Sequence, residues 1–388
     1  MNLLDLIIMV TLAAAAFGGY RLGFLARIFS WAGLAVGVLV ADRFLPDIVG
    51  FFSDSDPQIR LIAAVSFLVG AAMLGQGLGL AAGSLLHAAL PMGAGLRQGD
   101  QVAGSALGAI GVLAAVWVLT PALAAVPGWT AEATRESGVV RAIDSLFPDP
   151  PETMQALRRF VSDGSFPAVF DELRVSPDPG PPPIEGLAAD VHQRVVQSTV
   201  KVEGEACRRI QEGSGFTAMP DMVVTNAHVV AGEKSPMVET FHGRRLEATV
   251  VGFDPNRDLA LLRVPGLGQA PLPIGDGDEG EAGAVYGHPG GRELRAAPAV
   301  ISEELIAVGR DIYDRNETRR NIYVLGANLQ PGDSGGALVD KGGTVVGVAF
   351  AIAPDRPGVS YALTDDELGP FLRAAGATEV GTGRCLDA

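Results

Sequence analysis

A chain of 388 residues has room for two or three domains. Its formal net charge of −15, with no dense lysine and arginine cluster, excludes the basic footprint that a nucleic-acid partner requires. Two cysteines and five histidines without ligand-like spacing argue against a metal centre, and no cofactor is expected.

The first 126 residues hold long apolar runs with few charges, whereas the chain after residue 130 reads as soluble protein. A membrane helix needs about 20 apolar residues. Four segments meet or approach that length: Leu3–Gly19, Gly23–Ala41, Leu61–Leu86 and Val102–Val126. The first lacks a positively charged start and is followed by three more apolar runs, so it reads as a span rather than a cleaved leader. Arg27 lies a turn inside the second, where its stem can carry the charge to the headgroups. Small residues recur at helix-contact spacing, as Gly33/Gly37, Gly75/Gly79/Gly83 and Gly104/Gly108. Such spacing lets helices approach closely in lipid, although glycine is also simply frequent in membrane helices. The first loop carries Arg21, with Arg27 just beyond it, and no acid, and the next, residues 42–60, carries Asp42, Asp47, Asp54 and Asp56 against Arg43 and Arg60. Arginine bias places the first loop in the cytoplasm, and four spans then put the C-terminal part on the outer face. Lipid is therefore an expected partner.

Residues 131–186 are expected to be a linker. Met154, Leu157, Phe160 and Val161 recur at helical intervals in Glu152–Ser162, and Phe166–Leu173 predicts a second short helix. Ser176-Pro-Asp-Pro-Gly-Pro-Pro-Pro183 holds neither a helix nor a central strand and reads as an extended spacer. The domains expected are 1–130, embedded in the membrane, and 187–388.

From Ala189 the pattern turns to short β-rich runs: Thr199–Glu203, Gly213–Ala218, Met222–Thr225, Ala248–Phe253, Ala260–Val264, Gly283–Val285, Ala337–Val339 and Thr344–Ala351. Many short strands predict a sandwich or barrel. Cys207 and Cys385 both fall here, either as a disulfide or as two inert thiols. Pairing is the expectation, because a cysteine in a C-terminal tail has little packing reason to be there. It requires an oxidising compartment.

Three motifs sit on this scaffold: Val223-Val-Thr-Asn-Ala-His-Val-Val230 after Gly213-Ser-Gly-Phe216, then Asn256-Arg-Asp-Leu-Ala-Leu-Leu262, then Gln330-Pro-Gly-Asp-Ser-Gly-Gly-Ala-Leu338. A serine hydroxyl needs an imidazole to take its proton, and the imidazole needs a carboxylate to hold its tautomer. His228, Asp258 and Ser334 supply those groups. The surrounding glycines let backbone N–H groups of Gly332 and Ser334 converge on a developing oxyanion.

These motifs resemble the trypsin/chymotrypsin superfamily, with wording around His228 and Asp258 most similar to its bacterial HtrA/Deg branch. The N-terminal part, including Leu96, Arg97, Asp100, Gly104 and Gly108, resembles the four-span CvpA (colicin V production) family. The combination is similar to the MarP-type membrane serine proteases, a family linked to acid and oxidative stress survival. The resemblance implies a helical membrane bundle of four spans followed by an all-β, chymotrypsin-like double β-barrel. It implies a serine endopeptidase with His228 as base, Asp258 as orienting acid, Ser334 as nucleophile, and Gly332 with Ser334 as oxyanion hole. It also implies a specificity pocket with Asn328, six residues before Ser334, at its base and Gly347, Val348 and Ala349 as a wall. A small or medium apolar substrate residue is expected there. Protein or peptide substrates in the cell envelope, the chain itself included, are the expected partners. Two departures stand out. HtrA-type enzymes usually carry Asn where Asp333 stands, and a PDZ domain that the 54 residues after Ser334 are too few to form. In trypsin-like enzymes the Asp before the serine pairs with a freed N-terminus, and no such cleavage site is evident before Val200. Two other readings stand beside this one: a CvpA-like scaffold or channel whose protease-like domain only binds or regulates, and an enzyme facing the cytoplasm with free thiols.

Overall fold

The apolar runs of the N-terminal part form three long helices, α1 (Leu3–Phe51), α2 (Pro57–Ala89) and α3 (Ala94–Ala125). The computed structural model describes residues 2–51, 57–90, 93–125, 128–146, 169–170, 176–182, 186–206 and 209–386. Two units divide the chain: Met1–Leu119 with Ser137–Pro148, and Thr120–Glu136 with Asp149–Ala388. The boundaries of these units interleave near residues 119–149.

Among the described residues three helical stretches are long and apolar enough to cross a membrane: Leu3–Ala41, Ser66–Ala89 and Ala94–Thr120. The sequence predicts four, and the difference lies inside α1. Gly23 has φ 82° and ψ 166°, which breaks the helix. A straight helix would hold residues 15 and 27 about 18 Å apart, yet Arg27 Nη2 donates to the Ala15 carbonyl at 3.2 Å. The chain thus turns sharply at Gly23, which divides α1 into two arms. Arg27 is folded inward onto the first arm instead of reaching away from the helix end. The glycines mark where the arms touch their neighbours. The first arm meets α3 at Gly19 against Gly104 and at Ala15 against Gly108; the second meets α2 at Gly33 against Gly75 and at Gly37 against Ala71. In each pair a Cβ would collide with opposing backbone, so these glycines serve close helix contact. The turn is itself capped from α3: the Leu25 N–H, orphaned by the break, donates to Asp100 Oδ1 at 3.2 Å. His87 of α2 lies 3.3 Å from the other oxygen of Asp100.

Two short helices follow, α4 (Trp129–Glu136) and α5 (Gly138–Leu146). Buried Asp5 caps α5, accepting from Ser137 Oγ at 2.5 Å and from the Val139 N–H at 3.1 Å. The predicted helices Glu152–Ser162 and Phe166–Leu173 lie outside the described residues, apart from Val169 and Phe170. Phe170 packs edge-on against Tyr361. Residues 176–182 contain neither helix nor strand, consistent with their prolines.

From residue 149 onward the second unit holds α6 (Ala189–Ser198) and two β-sheets. Strands β1 (Thr199–Ala206), β2 (Arg209–Met219), β3 (Met222–Thr225), β4 (Met237–Thr240), β5 (Arg245–Glu247), β6 (Thr249–Asp254) and β7 (Leu259–Arg263) form a seven-stranded sheet in the order β5-β4-β1-β2-β3-β7-β6. Its two edges, β5 and β6, are separated in the chain only by Ala248, so the sheet curls until its ends meet. Strands β8 (Ala282–Gly287), β9 (Arg295–Arg310), β10 (Glu317–Ala327), β11 (Ala337–Asp340), β12 (Val345–Ile352) and β13 (Val359–Thr364) close into a six-stranded barrel. Of the two barrels expected, the second is thus hydrogen-bonded shut and the first is a curled sheet. A one-turn helix α7 (Ala227–Val230) follows β3, and α8 (Asp365–Ala374) follows the barrel. Val200, Val202, Val223, Leu262 and their neighbours fill the first sheet, while Val285, Ile301, Tyr323 and Leu325 are among those filling the barrel.

Candidate active site

Each of the three motifs lands at the end of a strand. β3 ends at Thr225, and α7 immediately presents His228 from its single turn. The turn between β6 and β7 carries Asp258, whose φ of 63° is rare for a residue with a side chain. The loop between β10 and β11 carries Ser334.

His228 and Asp258 meet closely. The imidazole Nδ1 donates to Asp258 Oδ2 at 2.7 Å, and the His228 N–H donates to Oδ1 at 2.9 Å. The carboxylate is fully buried and the imidazole 8% exposed. With Nδ1 so occupied, Nε2 is the nitrogen left to handle a substrate proton. Asn226, two residues before His228, donates through Nδ2 to the Asp258 carbonyl at 2.8 Å and steadies the strained turn from behind.

Ser334 is brought to the same region through Gly213. A Cβ on Gly213 would touch the Val229 side chain and would lie 3.2 Å from the Ser334 carbonyl. His228 Nε2 and Ser334 Oγ are both buried, and no hydrogen bond reaches either atom among the described residues. Nucleophile–base bonds are often long in unliganded enzymes and tighten when substrate binds.

The loop before Ser334 has a defined geometry. The Asp333 N–H donates to the Gln330 carbonyl at 3.0 Å, closing a β-turn with Pro331 and Gly332 at its centre. Gly332 has φ 97°, as the third position of a type II turn demands. The Pro331 carbonyl accepts from the Gly290 N–H at 2.7 Å. Because the peptide is trans, the Gly332 N–H points the opposite way, off the 289–291 turn. Ser214 ties this loop to the first sheet. Its N–H donates to the Ser334 carbonyl at 2.8 Å, its hydroxyl donates to the Gly332 carbonyl at 2.6 Å, and the same oxygen accepts from the His288 N–H at 2.8 Å.

Asp333 is almost fully buried, and its carboxylate has two partners. Oδ2 accepts from Arg295 Nη2 at 2.7 Å and from the Gln330 N–H at 2.9 Å. The partner of Asp333 that the sequence leaves open is thus Arg295. Asn328 is exposed, and its carbonyl accepts from the same Arg295 nitrogen at 2.8 Å. Ala349 is joined to the Ser334 loop, since its carbonyl accepts from the Gly335 N–H at 2.8 Å and its N–H donates to the Gly336 carbonyl at 2.9 Å. Gly347 and Val348 sit one register back, buried in the barrel and paired with Leu338 and Ala337. Burial lowers the pKa of nearby His288, whose Nδ1 faces the Arg292 carbonyl at 2.9 Å. No three His, Cys, Asp or Glu side chains among the described residues gather as a metal site. Cys385 is disulfide-bonded, and Cys207 lies outside the described residues.

Sequence reasoning assigned no role to Ser214 or Asn226, although both lie inside the quoted motifs. It missed Arg295, and it missed Arg320, a fully buried arginine of β10. Arg320 Nε donates to the Asn256 carbonyl at 2.6 Å and so reaches across to the loop that carries Asp258. Burial lowers its pKa, opposed by Asp258 and other nearby carboxylates.

Comparison with known proteins agrees with this geometry. Residues 213–348 match the trypsin-like peptidase domain family and residues 4–148 match the colicin V production protein family. Serine protease Rv3671c of Mycobacterium tuberculosis is 34% identical over 408 aligned positions, covering 99% of this chain and 98% of the relative. A probable periplasmic DegP-like serine endoprotease of Ectopseudomonas mendocina is 32% identical, over 50% of this chain and 42% of its own. Among solved structures, the active form of the Rv3671c protease superposes with a TM-score of 0.51 at 37% identity, covering 57% of this chain and all of that one. These likenesses favour an enzyme over a scaffold that merely carries a protease-like fold. With both regions in one chain and an end-to-end match to a serine protease, the chain belongs to the MarP-type family, serine endopeptidases that join a CvpA-like membrane domain to a trypsin-like domain.

Proposed function

We propose that the chain crosses the membrane four times, holds its protease unit outside the cytoplasm, and cleaves cell-envelope proteins, itself included, under acid or oxidative stress. The two arms of α1 support the fourth crossing, and the arginine-bearing turn between them supports the orientation. A disulfide between Cys207 and Cys385 belongs to the same reading, because it requires an oxidising compartment.

The observation that carries the catalytic reading is the buried His228–Asp258 pair beside a serine that follows a type II turn. Ser334 Oγ attacks the scissile carbonyl as its proton passes to His228 Nε2. Asp258 holds the ring and balances the imidazolium charge. The N–H groups of Gly332 and Ser334 receive the oxyanion. Collapse of the tetrahedral intermediate breaks the C–N bond, and the proton leaves with the amine. Water then repeats the sequence on the acyl-enzyme and restores the serine. Asn328 and Ala349 border the pocket for the side chain before the cleaved bond, with Gly347 and Val348 behind, and a small or medium apolar residue fits it best.

The full chain in detergent micelles should label with a fluorophosphonate probe and cut casein. Ser334→Ala should lose both. A variant that labels or cuts like the original would remove Ser334 from this role.

A further inference from the structure

We infer that Arg295 is a built-in positioning residue for the oxyanion turn, supplying from strand β9 the positive charge that buried Asp333 needs for Ser334 and Gly332 to be held in working geometry. The inference rests on the protease reading above and adds a residue to it.

The argument begins with burial. Asp333 is 1% exposed, and an ionised carboxylate in such a place is costly unless it is paired and hydrogen-bonded. Arg295 meets that need at 2.7 Å, and the Gln330 N–H shares the same oxygen at 2.9 Å. Those two bonds fix Asp333 against the start of its own turn. The turn includes the Pro331–Gly332 peptide, so the direction of the Gly332 N–H depends on where Asp333 is anchored. Arg295 Nη2 also donates to the Asn328 carbonyl, so one guanidinium nitrogen holds both ends of the segment 328–333. That segment runs from the base of the proposed pocket to the residue before the nucleophile. Arg295 lies at the start of β9, where it pairs with Gly287 of β8, and rests on the closed barrel rather than on a loop.

A guanidinium is charged at all working pH values. A charge supplied by the fold needs no cut in the chain to create it, so the turn should be set in the intact protein. An α-amino group in the same role would lose its charge above about pH 8, and a lysine above about pH 10. His288, a titratable group near Asp333, would act in a lower range, since burial moves its pKa down.

The test uses the full chain in detergent micelles with a fluorophosphonate probe and a peptide substrate. The wild type and four variants are compared: Arg295→Gln, Arg295→Lys, Asp333→Asn with Arg295→Gln, and Ser334→Ala as the blank. Arg295→Gln should lower the labelling rate and kcat by roughly 100-fold, the scale of losing one oxyanion donor, with a smaller change in KM. Removing the buried charge as well, in the double variant, should recover at least tenfold of that loss. Arg295→Lys should be active near neutrality and decline through about pH 10, where the wild type does not. Intact, uncut chain should carry the activity. An Arg295→Gln protein within threefold of wild type, or a double variant no better than the single one, would overturn the inference. So would activity that appears only once a new N-terminus has been cut. Absence of labelling in the wild type would instead defeat the protease reading itself.

Discussion

At Asp258 the backbone adopts a left-handed conformation that costs about 1 kcal/mol or more for a residue with a side chain. The surroundings over-determine it. Asn226 holds the carbonyl, Arg320 holds the carbonyl two residues earlier, and the His228 N–H and ring hold the carboxylate. Removing one brace should therefore loosen the imidazole more than it loosens the fold. Asn226→Ala should lower kcat about tenfold and leave KM nearly unchanged, with about 1 kcal/mol lost from stability; steady-state peptide cleavage and a urea titration measure both. Equal losses in KM and kcat would show that Asn226 acts elsewhere. His228, Asp258 and Ser334 could be picked out of the sequence as the proposed triad because each sits in a motif whose neighbours are fixed by local geometry. Arg295 and Arg320 were not. Their partners lie 38 and 64 positions away in the chain, and no local pattern records such a bond.

Among the elements, the strands flanking the motifs were legible to within a few residues at most, since alternating burial and turn residues mark them. Strands β4, β5, β9, β10 and β13 were not. β9 and β10 carry Glu303, Glu304, Arg319 and Arg320 within their runs, and hydrogen bonding along the closed barrel overrides the weak local preference of these charges. The membrane helices were legible by length, but the sharp turn at Gly23 was visible only as a gap between two apolar runs. The small-residue spacing turned out to mark real contacts. Gly75 faces the Gly33 carbonyl and Gly37, with no room for a side chain. Gly75→Leu should push α2 from the second arm of α1 and lower the thermal midpoint of the full chain in micelles by several degrees, the scale of about 1–3 kcal/mol of overpacking. Peptide cleavage below that midpoint should persist. An unchanged midpoint would mean the two helices part at no cost.

For the molecule as a whole, one group outside the proposed triad ties stability to pH. Glu233 is 2% exposed, crowds Gly204 of β1, and has no hydrogen-bond partner for either carboxyl oxygen among the described residues. Burial, with a smaller push from Glu203, raises its pKa to about 8. Its folded value lies above the unfolded one, so the associated stability is complete below about pH 4 and is lost as pH rises through 8. In between, the unfolded chain releases a proton that the folded chain keeps, at up to about 1.4 kcal/mol per pH unit. Thermal unfolding should show a midpoint falling from pH 5 to pH 8, and Glu233→Gln should flatten that slope. Parallel slopes in the two proteins would place the sensitivity elsewhere. The C-terminal tail docks at the same spot, where Thr382 Oγ1 donates to the Glu233 carbonyl at 2.6 Å and the Gly232 N–H donates to the Thr382 carbonyl at 3.0 Å. The bonds that cross between the two β-sheets carry a broader consequence. Ser214, on the first, braces the loop that carries Ser334, and Arg320, on the second, braces the loop that carries Asp258. Each sheet thus lends the other a brace for one loop of the proposed triad, so drift in one is felt as misalignment in the other.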